Sequence, residues 1–140
     1  AAPAGRGRGE TILVVEDEAA LRRVVSAVLE RQGYRVLVAA DGVEALDLWS
    51  AHGAAIDLLV TDLVMPGGWT GWQVAEQLRR DRPDLRVVLT SGYSADLAGR
   101  ELAATAETVY LQKPYLPRQL TDAVRSLLER SGAGPRVPPE

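Results

Sequence analysis

The chain has 140 residues, of which 46% are apolar and 25% charged, with no cysteine and a formal net charge of −3. This composition predicts one globular core and excludes disulfides and thiolate metal sites, and the acidic balance argues against nucleic acid as a direct partner. Because the chain lacks a run of roughly 18 apolar residues, which a membrane span needs, and its N-terminal segment lacks the apolar core of a signal peptide, we expect a cytoplasmic protein.

We expect a flexible segment on each side of one folded domain. Residues 1–9 contain only Ala, Gly, Pro and Arg, and residues 131–140 are also rich in Gly and Pro. Neither segment carries the apolar pattern that a core requires. The predicted domain therefore covers residues 10–130, and its loose ends fit a module of a longer chain as well as a free-standing protein with tails.

In the first half of this domain, short apolar runs alternate with helical spacing. Residues 11–15 predict a buried strand, and a helix follows that Gly33 is placed to end. Residues 35–39 predict a second strand, after which Asp41 and Gly42 begin a second helix. The side chains predicted to face the core are Leu21, Val24, Val25, Val28 and Leu29 in the first helix and Ala45, Leu46 and Trp49 in the second.

The second half repeats the alternation, with strands that are almost continuously apolar. We predict strands over residues 56–61, 85–89 and 108–112, and helices over residues 72–81 and 95–104 and from Pro117 onward. Proline suits the first position of a helix, where its missing N–H is not needed. Five such β-α units predict an α/β fold, a doubly wound parallel sheet with helices on both faces.

Polar residues follow four of the predicted strands. Right-handed crossovers bring the carboxyl ends of parallel strands to one edge, so these side chains should meet there. Because grouped carboxylates repel one another without a cation, and because the group has no His or Cys, it favours a hard ion such as Mg²⁺. A carboxylate beside Mg²⁺, faced by an ammonium and a hydroxyl, suits phosphoryl transfer. The residues in question are Glu16, Asp17, Asp62, Thr90 and Lys113.

This set of motifs resembles the receiver domains of response regulators in two-component signalling. The resemblance covers about residues 10–130 and implies a flavodoxin-like fold with strand order 2-1-3-4-5 and five helices. It also implies a domain that takes a phosphoryl group from a histidine kinase, is not a turnover enzyme by itself, and assists its own phosphorylation and dephosphorylation. The motifs that carry it are Glu16-Asp17, Asp62-Leu-Val-Met-Pro66, Thr90 and Lys113-Pro114.

The resemblance implies a role for each residue of the acidic site. Asp62 is the nucleophile that becomes an aspartyl phosphate. Asp17 and Asp62 bind Mg²⁺ directly, Glu16 binds it through water, and the backbone carbonyl of Val64 supplies a further ligand. Lys113 pairs first with Asp62 and then with the phosphoryl oxygens.

Three further residues would carry the conformational switch or shape the site. Thr90 bonds the phosphoryl group and moves toward it on activation, and Tyr110 is the aromatic residue whose ring then turns inward. Tyr110 could also be a plain core residue. Pro114 is expected to follow a cis peptide bond, as the family pattern implies.

The loop from Asp62 to Gly71 is one residue longer than in the commonest receiver pattern. Together with residues 89–94, it resembles receivers at the C-terminus of hybrid sensor histidine kinases. The expected partner is therefore a histidine kinase, a kinase domain of the same chain, or a histidine phosphotransfer protein.

Three other classes fit the sequence less well. A phosphatase of the aspartyl-phosphate class needs a second acid two residues after its nucleophile, where Val64 stands here. A nucleotide-binding domain needs a glycine-rich fingerprint after the first strand, where Glu16-Asp17-Glu18 would repel phosphate. A purely structural pseudo-receiver would be expected to lack the Asp, the Thr or the Lys, and all three are present. Asp41 and Asp57 are interpreted as a helix cap and a surface residue, without a role in the site.

Overall fold

The computed structural model of the chain describes residues 8–65, 67–92 and 107–130. Over these residues, five strands form one sheet in the order β2-β1-β3-β4-β5, and every neighbouring pair is parallel. The predicted doubly wound, flavodoxin-like topology is thereby confirmed. The strands are β1 (Thr11–Val15), β2 (Arg35–Ala39), β3 (Ile56–Asp62), β4 (Arg86–Ser91) and β5 (Thr108–Gln112).

Four α-helices lie within the described ranges, and the helix predicted over 95–104 falls outside them. None of the described helices is both long enough and apolar enough to cross a membrane. A short 3₁₀ turn, Gly53–Ala55, leads into β3. The helices are α1 (Ala19–Arg31), α2 (Gly42–His52), α3 (Gly71–Asp81) and α4 (Pro117–Arg130).

The helix ends follow from local sequence. The side chain of Asp41 accepts a hydrogen bond from the Glu44 amide and caps α2, as predicted. Thr70 and Gln73 form a reciprocal capping box at the start of α3. Gly33 follows α1 with a φ of +96°, a left-handed conformation that favours glycine, so the chain turns there into β2.

Two apolar cores cover the two faces of the sheet. Alternate residues of β1, Leu13 and Val15, point to the core shared with α2 and α3, whereas Ile12 and Val14 point to the core shared with α1 and α4. All four are at most 1% exposed, and burial of such side chains contributes about 1.5–3 kcal/mol each. The sheet is therefore packed on both faces, and it gives a rigid support to the side chains at the carboxyl ends of its strands.

Two details of the predicted packing were wrong. Val24 was assigned to the inward face of α1, but it is 55% exposed, because Val25 and Leu29 make the buried contact with the sheet. Asp57 was interpreted as a surface residue, but its half-buried carboxylate accepts a hydrogen bond of 2.9 Å from the backbone N–H of Thr11. It therefore links β3 to β1 at the amino edge of the sheet, away from the strand ends where the predicted site lies.

The register of the strands brings the polar residues to one edge. Asp62 lies directly opposite Thr90, and Ser91 lies opposite Gln112, which precedes Lys113. The backbone N–H of Lys113 donates to the Ser91 carbonyl at 2.7 Å, so the ladder continues to the lysine. On the other side, Val15 pairs with Thr61, and Glu16 and Asp17 leave β1 beside Asp62.

Candidate functional site

Three carboxylates meet at the carboxyl edge of the sheet. Glu16, Asp17 and Asp62 each offer an oxygen, and these oxygens all lie within 4.8 Å of one another. Glu16 and Asp62 are only 4% and 7% exposed, whereas Asp17 is exposed to solvent. The cluster is therefore anchored in the protein on one side and reachable from solvent on the other.

The ammonium group of Lys113 binds two of these carboxylates. Its Nζ lies 3.0 Å from Asp62 Oδ2 and 3.2 Å from Glu16 Oε1. Three carboxylates and one ammonium leave a formal charge of −2 when all four groups are ionised. An exclusively oxygen donor set with this residual charge fits a hard divalent cation such as Mg²⁺.

The buried groups of the site have shifted pKa values. Burial raises the pKa of Asp62, and the hydrogen bond and charge of Lys113 oppose that rise. Burial also raises the pKa of Glu16, against the hydrogen bond of 3.1 Å from the Glu18 amide. Burial alone would lower the pKa of Lys113, but pairing with Asp62 and Glu16 outweighs it and the pKa is raised. Lys113 is therefore a fixed cation at neutral pH.

The residues expected to act as a switch lie on the neighbouring strands. Thr90 is 2% exposed, and its carbonyl accepts a hydrogen bond of 2.7 Å from the Leu63 amide, which locks β4 to the end of β3. Tyr110 pairs with Leu89, one position before Thr90, and its half-buried ring packs against the core cluster shared with α2 and α3. The Lys113–Pro114 peptide bond is cis.

A family model described as the response regulator receiver domain matches residues 12–125. The chain belongs to this family. The resemblance inferred from the sequence is thereby confirmed. Receivers of this family are the phosphoacceptor domains of two-component systems and interact with histidine kinases or phosphotransfer proteins. The acidic cluster of this receiver suits both Mg²⁺ and phosphorylation of an aspartate.

Individual relatives agree with this assignment. The sensor kinase CckA of Brucella abortus (strain 2308) is 39% identical over 120 residues, which are 86% of this chain but only 13% of that protein. The solved receiver domain of the hybrid histidine kinase CckA is 35% identical, with a TM-score of 0.70 over 84% of this chain and 98% of that one. The response regulator TrrA of Thermotoga maritima, solved in complex with Mg²⁺-BeF, is 30% identical, with a TM-score of 0.74 over 85% and 99%.

The receiver's β3–α3 loop is tied down at both ends. Gly71, the first residue of α3, donates its N–H to the Leu63 carbonyl at 2.9 Å. A Cβ on Gly71 would lie 2.1 Å from the carbonyl oxygen of Asp62, so only glycine fits there without a backbone shift. Within the loop, the Val64 side chain is 57% exposed, and Trp69 packs so closely on Gly42 of α2 that a Cβ there would meet the Trp69 Cβ at 2.4 Å.

Sequence reasoning missed two residues at this site. Gly71 was noted only as the end of a loop, and Arg22 was not considered. The Arg22 guanidinium donates to the backbone carbonyl of Glu16 at 2.7 Å. The Arg22 contact has no sequence signature, because it joins a side chain to a backbone atom that the fold brings near it, whereas a glycine directly after the cap residue Thr70 was a signal of close approach.

Proposed function

We propose that Asp62 is the phosphoacceptor of this receiver and that a phosphohistidine is its donor. One observation carries the proposal: Asp62 ends a buried strand with Lys113 Nζ 3.0 Å from its carboxylate and two further carboxylates within 4.8 Å. A nucleophile needs this combination, because the lysine offsets charge on the transferring group while the acids recruit a metal.

The metal in this proposal is Mg²⁺, with Asp17 and Asp62 as direct ligands, Glu16 as a ligand through water, and the Val64 carbonyl as a fourth. Asp17 is exposed, which gives the ion an entry path, and Glu16 is buried, which fits a supporting position. When bound, the ion would neutralise the carboxylates and polarise the phosphoryl oxygens.

In this proposal, phosphoryl transfer uses the carboxylates and the ammonium already grouped at the strand ends. A carboxylate oxygen of Asp62 attacks the phosphorus in line, the new O–P bond forms, and the N–P bond of the phosphohistidine breaks. The imidazole leaves and takes up a proton. Lys113 then pairs with the phosphoryl oxygens. Thr90, opposite Asp62 in register, is proposed to bond the phosphoryl group and to move toward it. The ring of Tyr110 is proposed to turn inward in response.

Mass spectrometry after treatment with acetyl phosphate and Mg²⁺ tests the phosphoacceptor directly. We expect the wild-type chain to gain one phosphoryl group and Asp62→Asn to gain none, because an amide is not a nucleophile for phosphorus. The matched control is Asp47→Asn, the same change at an exposed position of α2, which should be labelled like wild type. Equal labelling of Asp62→Asn and wild type would reject the proposal.

The donor is proposed to dock in an apolar groove beside the site. The groove holds about 220 Å³ and runs between α1 and the chain that enters α4, with Leu21, Val24 and Tyr115 among its lining residues. Lys113 lines the same groove, so a bound partner would lie next to Asp62. An apolar helix face carrying the phosphohistidine fits this shape, because helices bind grooves through spaced apolar side chains.

The substitution Val24→Asp distinguishes phosphotransfer from a protein donor, which needs the groove, from phosphorylation by a small molecule, which does not. Val24 is 55% exposed in the groove, so a charge there should spare the fold. We expect phosphotransfer from a histidine kinase or histidine phosphotransfer protein to fall at least about tenfold, since a charge facing an apolar helix is costly, while phosphorylation by acetyl phosphate stays near wild type. Val43→Asp, on α2 and also 55% exposed, is the control. Equal phosphotransfer to both variants would place the docking surface elsewhere.

The wider setting of the domain is also a proposal. The similarity to CckA over 13% of that sensor kinase, and the longer β3–α3 loop, support a receiver module of a hybrid kinase, with residues 10–130 as the domain and residues 1–9 and 131–140 as linkers. The kinase would then be part of the same chain. A cytoplasmic location belongs to this proposal, and the absence of cysteine fits a reducing compartment.

A further inference from the structure

Arg22, in the first turn of α1, reaches back to the acid pair that precedes the helix. Its Nη1 lies 2.7 Å from the carbonyl oxygen of Glu16 and 3.5 Å from that of Asp17. The side chain is partly buried, and its own backbone N–H bonds to the Glu18 carbonyl at 2.9 Å, which begins the helix. One guanidinium thus contacts the backbone of both acids at once.

The Glu16 carbonyl needs such a partner because it lies past the end of the β ladder. The last paired residue of β1 is Val15, which lies between Ala39 and Thr61. The Glu16 N–H still bonds to the Ala39 carbonyl at 3.0 Å, but the carbonyl of Glu16 points beyond these pairs. Buried carbonyls require a donor, and Arg22 supplies a charged one.

The side chain of Glu16 is fixed from the other direction. Its Oε2 accepts the Glu18 N–H at 3.1 Å, and its Oε1 accepts Lys113 Nζ at 3.2 Å. Arg22 therefore holds the backbone of this turn while the Glu18 amide and Lys113 hold the carboxylate. Without Arg22, the backbone carbonyl of Glu16 would lose its charged donor, and the turn that carries both acids would be held less firmly.

We propose that Arg22 is a positioning residue: it fixes the turn after β1 so that the carboxylates of Glu16 and Asp17 converge on Asp62 before any ion arrives. The inference rests on the proposed Mg²⁺ site. Arg22 would then raise the affinity for Mg²⁺ without binding the ion itself. Residues that orient metal ligands contribute to affinity in this way, through preorganisation.

This positioning role and a purely electrostatic role predict opposite changes in Mg²⁺ affinity when Arg22 is removed. If Arg22 acted only through its charge, its removal would make the acidic site more negative, and Mg²⁺ would bind more tightly. If Arg22 acts by holding the turn, its removal weakens Mg²⁺ binding in spite of the more favourable charge. Arg23, the next residue, is exposed and carries the same charge, so Arg23→Met gives the electrostatic effect with the turn intact.

Two measurements on the isolated chain test the proposal: the Mg²⁺ dissociation constant by titration calorimetry, and hydrogen exchange of the Glu18 amide without metal. For Arg22→Met we expect roughly tenfold weaker Mg²⁺ binding, the lower end for loss of an orienting partner, and faster Glu18 exchange. Phosphorylation by acetyl phosphate at saturating Mg²⁺ should stay within about twofold of wild type, since a lost positioning contact affects binding first. Arg23→Met should bind Mg²⁺ as tightly as wild type or more tightly.

Mg²⁺ binding by Arg22→Met at wild-type strength or above, with Glu18 exchange unchanged, would overturn the role of Arg22. A wild-type chain that binds no Mg²⁺ would instead contradict the proposed function, and Glu18 exchange would still test the turn. If Arg22→Met does not fold, Arg22→Lys takes its place. Its shorter side chain should weaken Mg²⁺ binding more than Arg23→Lys does, and equal affinities of the two variants would overturn the proposal.

Discussion

Replacing Gly71 by alanine is expected to destabilise the domain and impair its site together. The added Cβ would lie 2.1 Å from the carbonyl oxygen of Asp62 and 2.9 Å from its carbonyl carbon. Rotation of a side chain cannot relieve this contact, because both atoms belong to the backbone. Either α3 or the end of β3 must move, and the end of β3 carries Asp62 itself.

The expected change in the free energy of unfolding is the balance of two opposing contributions, helix propensity and overpacking. Alanine gains at most about 1 kcal/mol over glycine in helix propensity, which is the value for a helix interior, and Gly71 is the first residue of α3. Overpacking of a close contact typically costs about 1–3 kcal/mol, and this contact is closer than any that real Cβ atoms make, so the cost lies at the upper end or above. We expect a net loss of roughly 2 kcal/mol in the free energy of unfolding, together with weaker Mg²⁺ binding as Asp62 shifts.

Urea denaturation and Mg²⁺ titration of Gly71→Ala measure the two effects. Gly92→Ala is the control, since Gly92 directly follows β4 at the same edge of the sheet but a Cβ there would meet nothing within 4 Å. It should lie within about 0.5 kcal/mol of wild type, as expected for a substitution away from packed features. A Gly71→Ala protein as stable as Gly92→Ala would mean that the chain can separate α3 from β3 at little cost.

Much of this fold could be predicted from the sequence because its signals are local. The apolar runs at residues 11–15, 35–39 and 108–112 coincide with β1, β2 and β5, and the structure extends β3 by one residue to Asp62. Asp41 caps the start of α2 and Gly33 follows the end of α1, and both effects depend on only a few neighbouring residues. The strand ends then converge through the topology of the sheet, so Glu16, Asp17, Asp62 and Lys113 meet as expected.

What could not be predicted depends on how the elements pack. Helical spacing predicts both Val24 and Val25 to face the core, but only Val25 is buried, and Val24 lines the groove between α1 and the start of α4. The contacts of Arg22 and Gly71 with backbone atoms depend on where the chain returns after it leaves a strand. No periodicity carries that information, although a glycine directly after the cap residue Thr70 was a signal of close approach.

Lys113→Met is expected to lower the free energy of unfolding by about 3 kcal/mol at pH 7 without metal. Glu16 and Asp62 are 4% and 7% exposed, and Lys113 is the cation that holds both. Removing one partner of a buried ion pair leaves the remaining charges uncompensated, which costs about 3–5 kcal/mol. The low end applies here, because Asp17 keeps one side of the cluster open to water.

The pH dependence of this loss has a definite sign. Burial raises the folded-state pKa of Glu16 and Asp62 above their ordinary values of 4.5 and 3.8, so the folded chain holds more protons than the unfolded chain. For such groups, stability is fully present below the unfolded pKa and is lost as pH rises through the folded pKa. Without Lys113, its hydrogen bonds and charge no longer lower these two pKa values, so both rise further. The loss of stability on raising the pH then becomes larger and extends to higher pH.

Urea midpoints of Lys113→Met and wild type between pH 4 and pH 7 should therefore diverge as the pH rises, since protonation of the two carboxylates at acid pH removes the charges that Lys113 offsets. Mg²⁺ should narrow the gap at pH 7, because an ion that binds only the folded chain stabilises it and can replace the missing charge. Arg125→Met is the control: its pair with Asp122 at 3.0 Å is solvent-exposed, and such pairs contribute about 1 kcal/mol or less. A constant difference across the pH range would show that the methionine acts through packing and that the carboxylates do not depend on Lys113 for their charge.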